Sequence, residues 1–278
     1  MVSRGVLQLL ATVAAASLAG CALLFVSTEG LSGGALDAAS APGVDAAADA
    51  ALAGDGGPPA DGAPVIGDAA IDGEGSVGFC AANPGHTFCD DFDEGTDVAS
   101  RWSGTSVTGR GVIESDPTLA RSAPRSFKSS TPAGTSMVST ASLDRELGTT
   151  DRIRLSFDYN ATQPSTSVGD SVATLRFAAG YFDLVWFDNG KFGLTERADP
   201  MPPIDHFSPQ FLVNGAWARL QIEVTPARLV VKLDGVTVID AVTTRPYSGA
   251  AGITIGLYSV DARAVAFYFD NVLIDTAF

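Results

Sequence analysis

The sequence predicts an all-β sandwich or jelly roll in its C-terminal two hundred residues. Three observations carry this. Apolar and polar residues alternate with period two from Ile153 onward. Turn residues punctuate the alternation at short intervals. No stretch after Gly78 holds a helical period over three turns. Two hundred residues are enough for one sizeable core.

The chain has 278 residues, 17 Lys and Arg against 32 Asp and Glu, and a net charge of −15. That balance excludes the basic footprint that nucleic-acid binding needs. The acidity is unevenly placed. Between Arg4 and Arg101 lie 14 acidic residues and no basic one, so the part from Arg101 onward is close to neutral. Charge asymmetry of this kind marks a tail or linker beside a folded unit.

Residues 1–20 read as an export signal. Arg4 is followed by the apolar run Val6 to Ser17, then Leu18-Ala19-Gly20-Cys21. This resembles the lipobox of bacterial lipoproteins, which implies cleavage before Cys21 and a lipid on its thiol. The apolar run continues to Val26, so Val6 to Val26 is also long enough for an uncleaved anchor. Both readings export the rest of the chain. Ala22 stands where retained lipoproteins carry Asp, so the resemblance favours the outer membrane of a bacterial envelope. The membrane, through this lipid, is one expected partner.

Residues 21–78 read as a disordered linker. From Ser27 to Gly78, Ala, Gly, Asp and Pro make up 37 of 52 residues, and there is no aromatic residue. Such a segment cannot bury enough apolar surface to offset its ordering entropy.

The domain is expected over residues 79–278. Cys80 and Cys89 are the cysteines left once Cys21 is lipidated, and an exported domain favours a disulfide between them. Ile153, Leu155, Phe157 and Tyr159 alternate with polar residues. Val172 to Phe177 and Tyr181 to Trp186 form a pair around Gly180. Leu220, Ile222 and Val224 alternate with Arg219, Gln221 and Glu223. Leu229 to Leu233 and Val236 to Ile239 flank Asp234-Gly235, a two-residue hairpin signal. Ile253 to Tyr258 and Val265 to Ile274 close the chain. Ala198 to Gly215, with four Pro, reads as a long loop able to wall a cleft.

Four short motifs then stand in order: Phe88-Cys89-Asp90-Asp91-Phe92-Asp93, Leu233-Asp234-Gly235-Val236, Gly252-Ile253-Thr254-Ile255-Gly256, and Phe269-Asp270-Asn271-Val272. Their order resembles the concanavalin A-like, laminin-G-like jelly roll. The resemblance implies two antiparallel sheets, one of them concave. It implies no single activity, because that fold hosts lectins, hydrolases, lyases and protein-binding modules.

For catalysis, no E-x-D-x-E pair of glycosidase type and no Q-x-H of lyase type occurs, and His86 and His206 fall in predicted loops. The expectation is therefore a non-catalytic binding module and not an enzyme. Its ligand would be carbohydrate or another surface polymer. Alternatives are a protein–protein adhesion module and a divergent glycan-active hydrolase. Outward-facing Arg154, Asp158, Arg176, Tyr181, Asp183, Trp217 and Arg219 would form one polar face suited to sugar, mixing an aromatic plane with paired polar groups. A plainer reading makes that face an ordinary solvated one with cross-strand ion pairs. No cofactor is expected, apart from a structural calcium on Asp90, Asp91 and Asp270, with Asp93 nearby. The plainer reading there has the same residues capping turns.

Overall fold

The computed structural model describes residues 78–278, except 136, 163–168, 188, 245–246 and 261. The export signal, Cys21 and the linker lie outside the described residues. The described chain opens with a single helical turn, α1 (Phe79–Ala82). It continues through fifteen strands: β1 (Phe88–Asp90), β2 (Gly104–Thr108), β3 (Val112–Asp116), β4 (Ser126–Thr131), β5 (Ser139–Thr149), β6 (Ile153–Ala161), β7 (Asp170–Phe177), β8 (Gly180–Trp186), β9 (Lys191–Ala198), β10 (Met201–Phe211), β11 (Ala218–Val224), β12 (Leu229–Leu233), β13 (Val236–Ala241), β14 (Ala250–Ser259) and β15 (Val265–Asp275).

The strands form two antiparallel sheets. The eight-stranded sheet runs β13-β12-β11-β6-β15-β4-β3, with β1 added to the C-terminal half of β15. The seven-stranded sheet runs β10-β9-β8-β7-β14-β5-β2. The two layers enclose one core, and the chain is an all-β jelly-roll sandwich.

Alternation decides which side chains enter that core. Ile153, Leu155 and Phe157 of β6 and Leu220, Ile222 and Val224 of β11 are fully buried. Leu175 of β7, Phe182 and Leu184 of β8 and Ile253 and Ile255 of β14 meet them from the other layer. Aromatic rings fill the centre: Phe269 packs on Phe127, Phe157 and Tyr159, and Trp186 packs on Tyr159 and Phe267. The hairpin read at Asp234-Gly235 joins β12 and β13. Both residues take positive φ, 48° and 80°, as a type I′ turn requires.

One predicted loop is a strand. Within Ala198–Gly215, Met201–Phe211 forms β10, the outer edge of the seven-stranded sheet, with two irregularities in its register on β9. Its prolines misled the sequence reading. An edge strand tolerates Pro because half its N–H groups have no neighbour to meet.

The disulfide forms as expected, Cys80 to Cys89 with Cα atoms 5.6 Å apart. It ties α1 to β1.

Candidate functional site

The outward faces of the two sheets differ, and the difference decides where a ligand can act. On the eight-stranded sheet the polar residues are consumed by one another. Arg154 lies opposite Glu223 and bonds it at 3.1 Å, and its guanidinium stands 4.0 Å from the Phe278 ring centre. Arg219 lies opposite Asp158 at 3.4 Å and also donates to the Asn271 carbonyl at 2.6 Å. Asp158 accepts from Asn271 Nδ2 at 2.8 Å. Trp217 is half-buried just ahead of β11 in the same sheet. Cross-strand pairing therefore claims Arg154, Asp158 and Arg219.

Arg176, Tyr181 and Asp183 belong to the other sheet. The single polar face expected for all seven residues does not exist: β6 and β11 pair in one layer, β7 and β8 in the other. Tyr181 and Trp217 do not share a face.

The outer face of the seven-stranded sheet carries an open groove of about 570 Å³. Two rows of side chains cross this face of the sheet, each set by strand register, and their β5, β14, β7 and β8 members line the groove. The first holds Asp144 (β5), Thr254 (β14), Thr174 (β7), Asp183 (β8), Thr195 (β9) and Asp205 (β10). Each carboxylate in it takes a threonine hydroxyl: Thr254 to Asp144 at 2.6 Å, Thr174 to Asp183 at 2.9 Å, Thr195 to Asp205 at 2.7 Å. Asp183 also accepts from Ser171 at 2.5 Å. Burial nevertheless lifts the Asp183 carboxyl above its ordinary 3.8, with the two hydroxyls and the Arg197 charge opposing the rise.

The second row places Tyr181 between two arginines. Arg176 of β7 is its partner on one side and Arg197 of β9 on the other. Arg176 is held at 3.4 Å by both Asp144 and Glu146. Arg197 is exposed and forms no salt bridge among the described residues. A second depression of about 620 Å³ shares Arg176, Tyr181 and Arg197 and continues toward Met201 and Pro203. Tyr258, 48 % exposed, lines the groove on β14.

The sequence reading missed Arg197, Asp144, Thr195 and Asp205. The signal was present for two of them: Thr195 and Arg197 alternate with Leu194 and Glu196. That alternation was obscured because Glu196 looks polar and outward. It points inward and is fully buried, accepting from Thr244 and Tyr247.

Neither histidine enters the groove. His86 Nδ1 bonds Asp275 at 2.9 Å on the eight-stranded side. His206 sits in β10, not in a loop, opposite Leu194, with Nε2 3.6 Å from Glu196 Oε2.

The expected calcium ligands do not converge on a metal. Asp90 accepts from Phe92 N and Trp102 Nε1 at 3.0 and 2.8 Å. Asp91 accepts from Cys80 N at 3.0 Å. Asp270 accepts from the amides of Arg121, Ser122 and Asn271. These oxygens are occupied in fixing turns. Among the described residues no group of three or more His, Cys, Asp or Glu is arranged to hold a metal ion.

No family model matches the chain, and no curated protein matches it. Solved structures do. An endo-β-1,4-glucuronan lyase from the fungus Trichoderma reesei is 14% identical with a TM-score of 0.56, covering 70% of this chain and 97% of its own. The cellulose-induced protein Cip1 is 13% identical with a TM-score of 0.54, over 68% and 97%. A structure of the endo-acting O-glycanases that members of the human gut microbiota express to initiate mucin breakdown is 10% identical with a TM-score of 0.54, over 70% and 100%. At these identities the likeness establishes the fold. It also corrects the expectation of a non-catalytic, non-enzymatic binding module, since two of the three are glycan-cleaving enzymes. That expectation rested on the missing E-x-D-x-E pair of glycosidases and the missing Q-x-H of lyases.

Proposed function

We propose that the groove is the active site of an enzyme that cleaves uronate-containing polysaccharide by β-elimination. One observation carries the reading: Tyr181 stands between Arg176 and Arg197 on the floor of an open groove. Elimination needs a base at C5 of the uronate, positive charge at its carboxylate, and an acid for the leaving oxygen at C4. Arg197, exposed and without a salt bridge among the described residues, is suited to the carboxylate. It would stabilise the negative charge that builds there as the C5 proton leaves. Tyr181, acting in its phenolate form, takes the C5 proton and becomes the phenol. The C5 electron pair forms the C4–C5 double bond, the C4–O bond breaks, and the departing oxygen receives a proton from the tyrosine hydroxyl or water. No histidine is needed for these transfers. The glucuronan lyase with the same fold supports this reading.

The test is incubation with glucuronan, alginate and other polyuronides, read by ultraviolet absorbance of the new double bond. Signal from the wild-type chain and its loss in Tyr181→Phe is the expected result. A folded protein that raises no absorbance on any polyuronide overturns it.

A second reading has its own observation. Asp183 and Asp205 lie two strands apart in one row, about 10 Å at the backbone. An inverting glycosidase places its carboxylates roughly 6.5–9.5 Å apart, one of them with a raised pKa. Asp144 and Asp183, three strands apart at about 14 Å, do not fit that range. New reducing ends without new absorbance would favour this hydrolytic route.

We further propose that the enzyme is an envelope lipoprotein. Cleavage after residue 20 and a lipid on Cys21 would anchor it in the outer membrane. Residues 21–78 would tether the domain that starts at 79. The Leu18-Ala19-Gly20-Cys21 motif supports this reading. Palmitate labelling that disappears in Cys21→Ala is the expected result; equal labelling of both chains overturns it.

A further inference from the structure

We infer that Phe207 and Lys191 form a separate sugar-holding subsite at the β10 end of the groove, occupied by a distant uronate unit of the same polymer that Tyr181 cuts. The inference rests on the proposed function for its substrate class.

Phe207 lies on the edge strand, 48 % exposed, on the groove side of the sheet. The backbone beneath it is fitted to the ring. Gly193 is its partner on β9, and a Cβ there would come within 2.7 Å of Phe207 Cδ1. Only glycine lets the ring lie against the strand. Phe187 flanks it with ring centres 6.0 Å apart, and Gly169 leaves space for that second ring in the same way. The two rings are tilted 57° to one another, so the exposed Phe207 ring alone offers the plane on which the C–H face of a sugar stacks.

Charge and continuity name the occupant. Lys191 Nζ stands 4.3 Å from the centre of the Phe207 ring, so a carboxylate on a stacked sugar meets an ammonium. Beside the two rings is a depression of about 200 Å³, into which Thr195, Asp205 and Arg197 also reach. Arg197 lines both this depression and the main groove, so one guanidinium borders the two. Two strand spacings across and four residues along separate Phe207 from Tyr181, about 16 Å by strand geometry. That span is longer than one sugar. The subsite therefore engages a unit well away from the cleaved bond, and its contribution depends on chain length.

The test is equilibrium binding by calorimetry of a trimeric uronate, a hexameric uronate and a neutral hexameric glucan to the full chain carrying Tyr181→Phe, so that the polymer is not cut. This reference chain is expected to bind the uronate hexamer more tightly than the trimer. Phe207→Ala should weaken the hexamer by about 3- to 10-fold, the worth of one aromatic stacking contact. Phe207→Tyr should keep hexamer affinity, which separates stacking from a folding defect. Lys191→Ala should weaken the uronate hexamer and not the neutral one. Equal hexamer affinity of the Tyr181→Phe chain with and without Phe207→Ala overturns the subsite, even where Tyr181→Phe has abolished turnover and so upheld the active site. Hexamer binding that Phe207→Ala weakens supports the subsite even where no elimination is detected.

Discussion

The Tyr247 hydroxyl donates to Glu196 Oε1 at 2.8 Å, and both side chains are fully sealed from solvent. Thr244 adds a hydroxyl donor at 2.7 Å to the same oxygen. A buried carboxylate is tolerated only when hydrogen bonds replace its water. This clamp fixes the register of β9, because a one-residue slip would expose Glu196 and bury Arg197. The inward acid therefore holds its outward neighbour on the groove floor. Tyr247→Phe should lower the unfolding free energy by about 1–3 kcal/mol, the cost of leaving a buried acceptor short of a donor. Urea denaturation checks this, and an unchanged midpoint would remove the clamp from the account.

Arg197 and Arg154 should separate function from packing. Arg197→Ala is expected to lower kcat/KM on a polyuronide by about 10²–10³, the usual loss when one charge-stabilising donor is removed from an active site. Arg154→Ala breaks an ion pair with Glu223 on the opposite face. It should shift stability by about 1 kcal/mol or less and leave turnover unchanged. Equal kinetic effects of the two would place the chemistry elsewhere.

Asp270 gives the fold a pH dependence with a definite sign. Burial raises its carboxyl from 3.8 to about 7, against four hydrogen bonds from Arg121, Ser122 and Asn271 that favour the charged form. Arg219 and Asp158 are the charged groups beside it. The folded chain keeps this proton more tightly than the unfolded chain. The stabilisation is therefore complete below about pH 4 and is lost as pH rises through about 7. Asp93, raised to about 6 chiefly by burial, acts in the same direction. Urea midpoints should fall between about pH 5 and about pH 8, and Asp270→Asn should flatten that fall. An identical slope in the variant would refute the assignment.

The disulfide closes a short loop, with nine residues of sequence separation. Chain-entropy reasoning gives about 3 kcal/mol for a loop of this size. Replacing Cys80 and Cys89 together by Ser should lower stability by roughly that amount while the groove, built on other strands, keeps its activity. Loss of turnover in a folded double variant would tie α1 to the site.

The sandwich was legible because alternation is a local property. Ile153, Leu155 and Phe157 declare an inward face in their own residues, and Asp234-Gly235 declares its own turn. The site was not legible, because a groove floor is a property of neighbouring strands. Arg154 and Arg176 read alike in sequence. What separates them is that β6 pairs with β11 and β7 with β8 and β14. Phe207 stood inside a proline-rich segment that edge geometry, not local propensity, makes a strand.

The described chain begins on the side away from the groove. Phe79 stands against Arg219, 5.5 Å from guanidinium to ring centre, and His86 bonds Asp275. Both contacts lie on the outward face of the eight-stranded sheet. The first described residues are thus held on the face opposite the groove. A bulky fusion partner joined ahead of residue 78 should leave a long polymer free to lie across that groove.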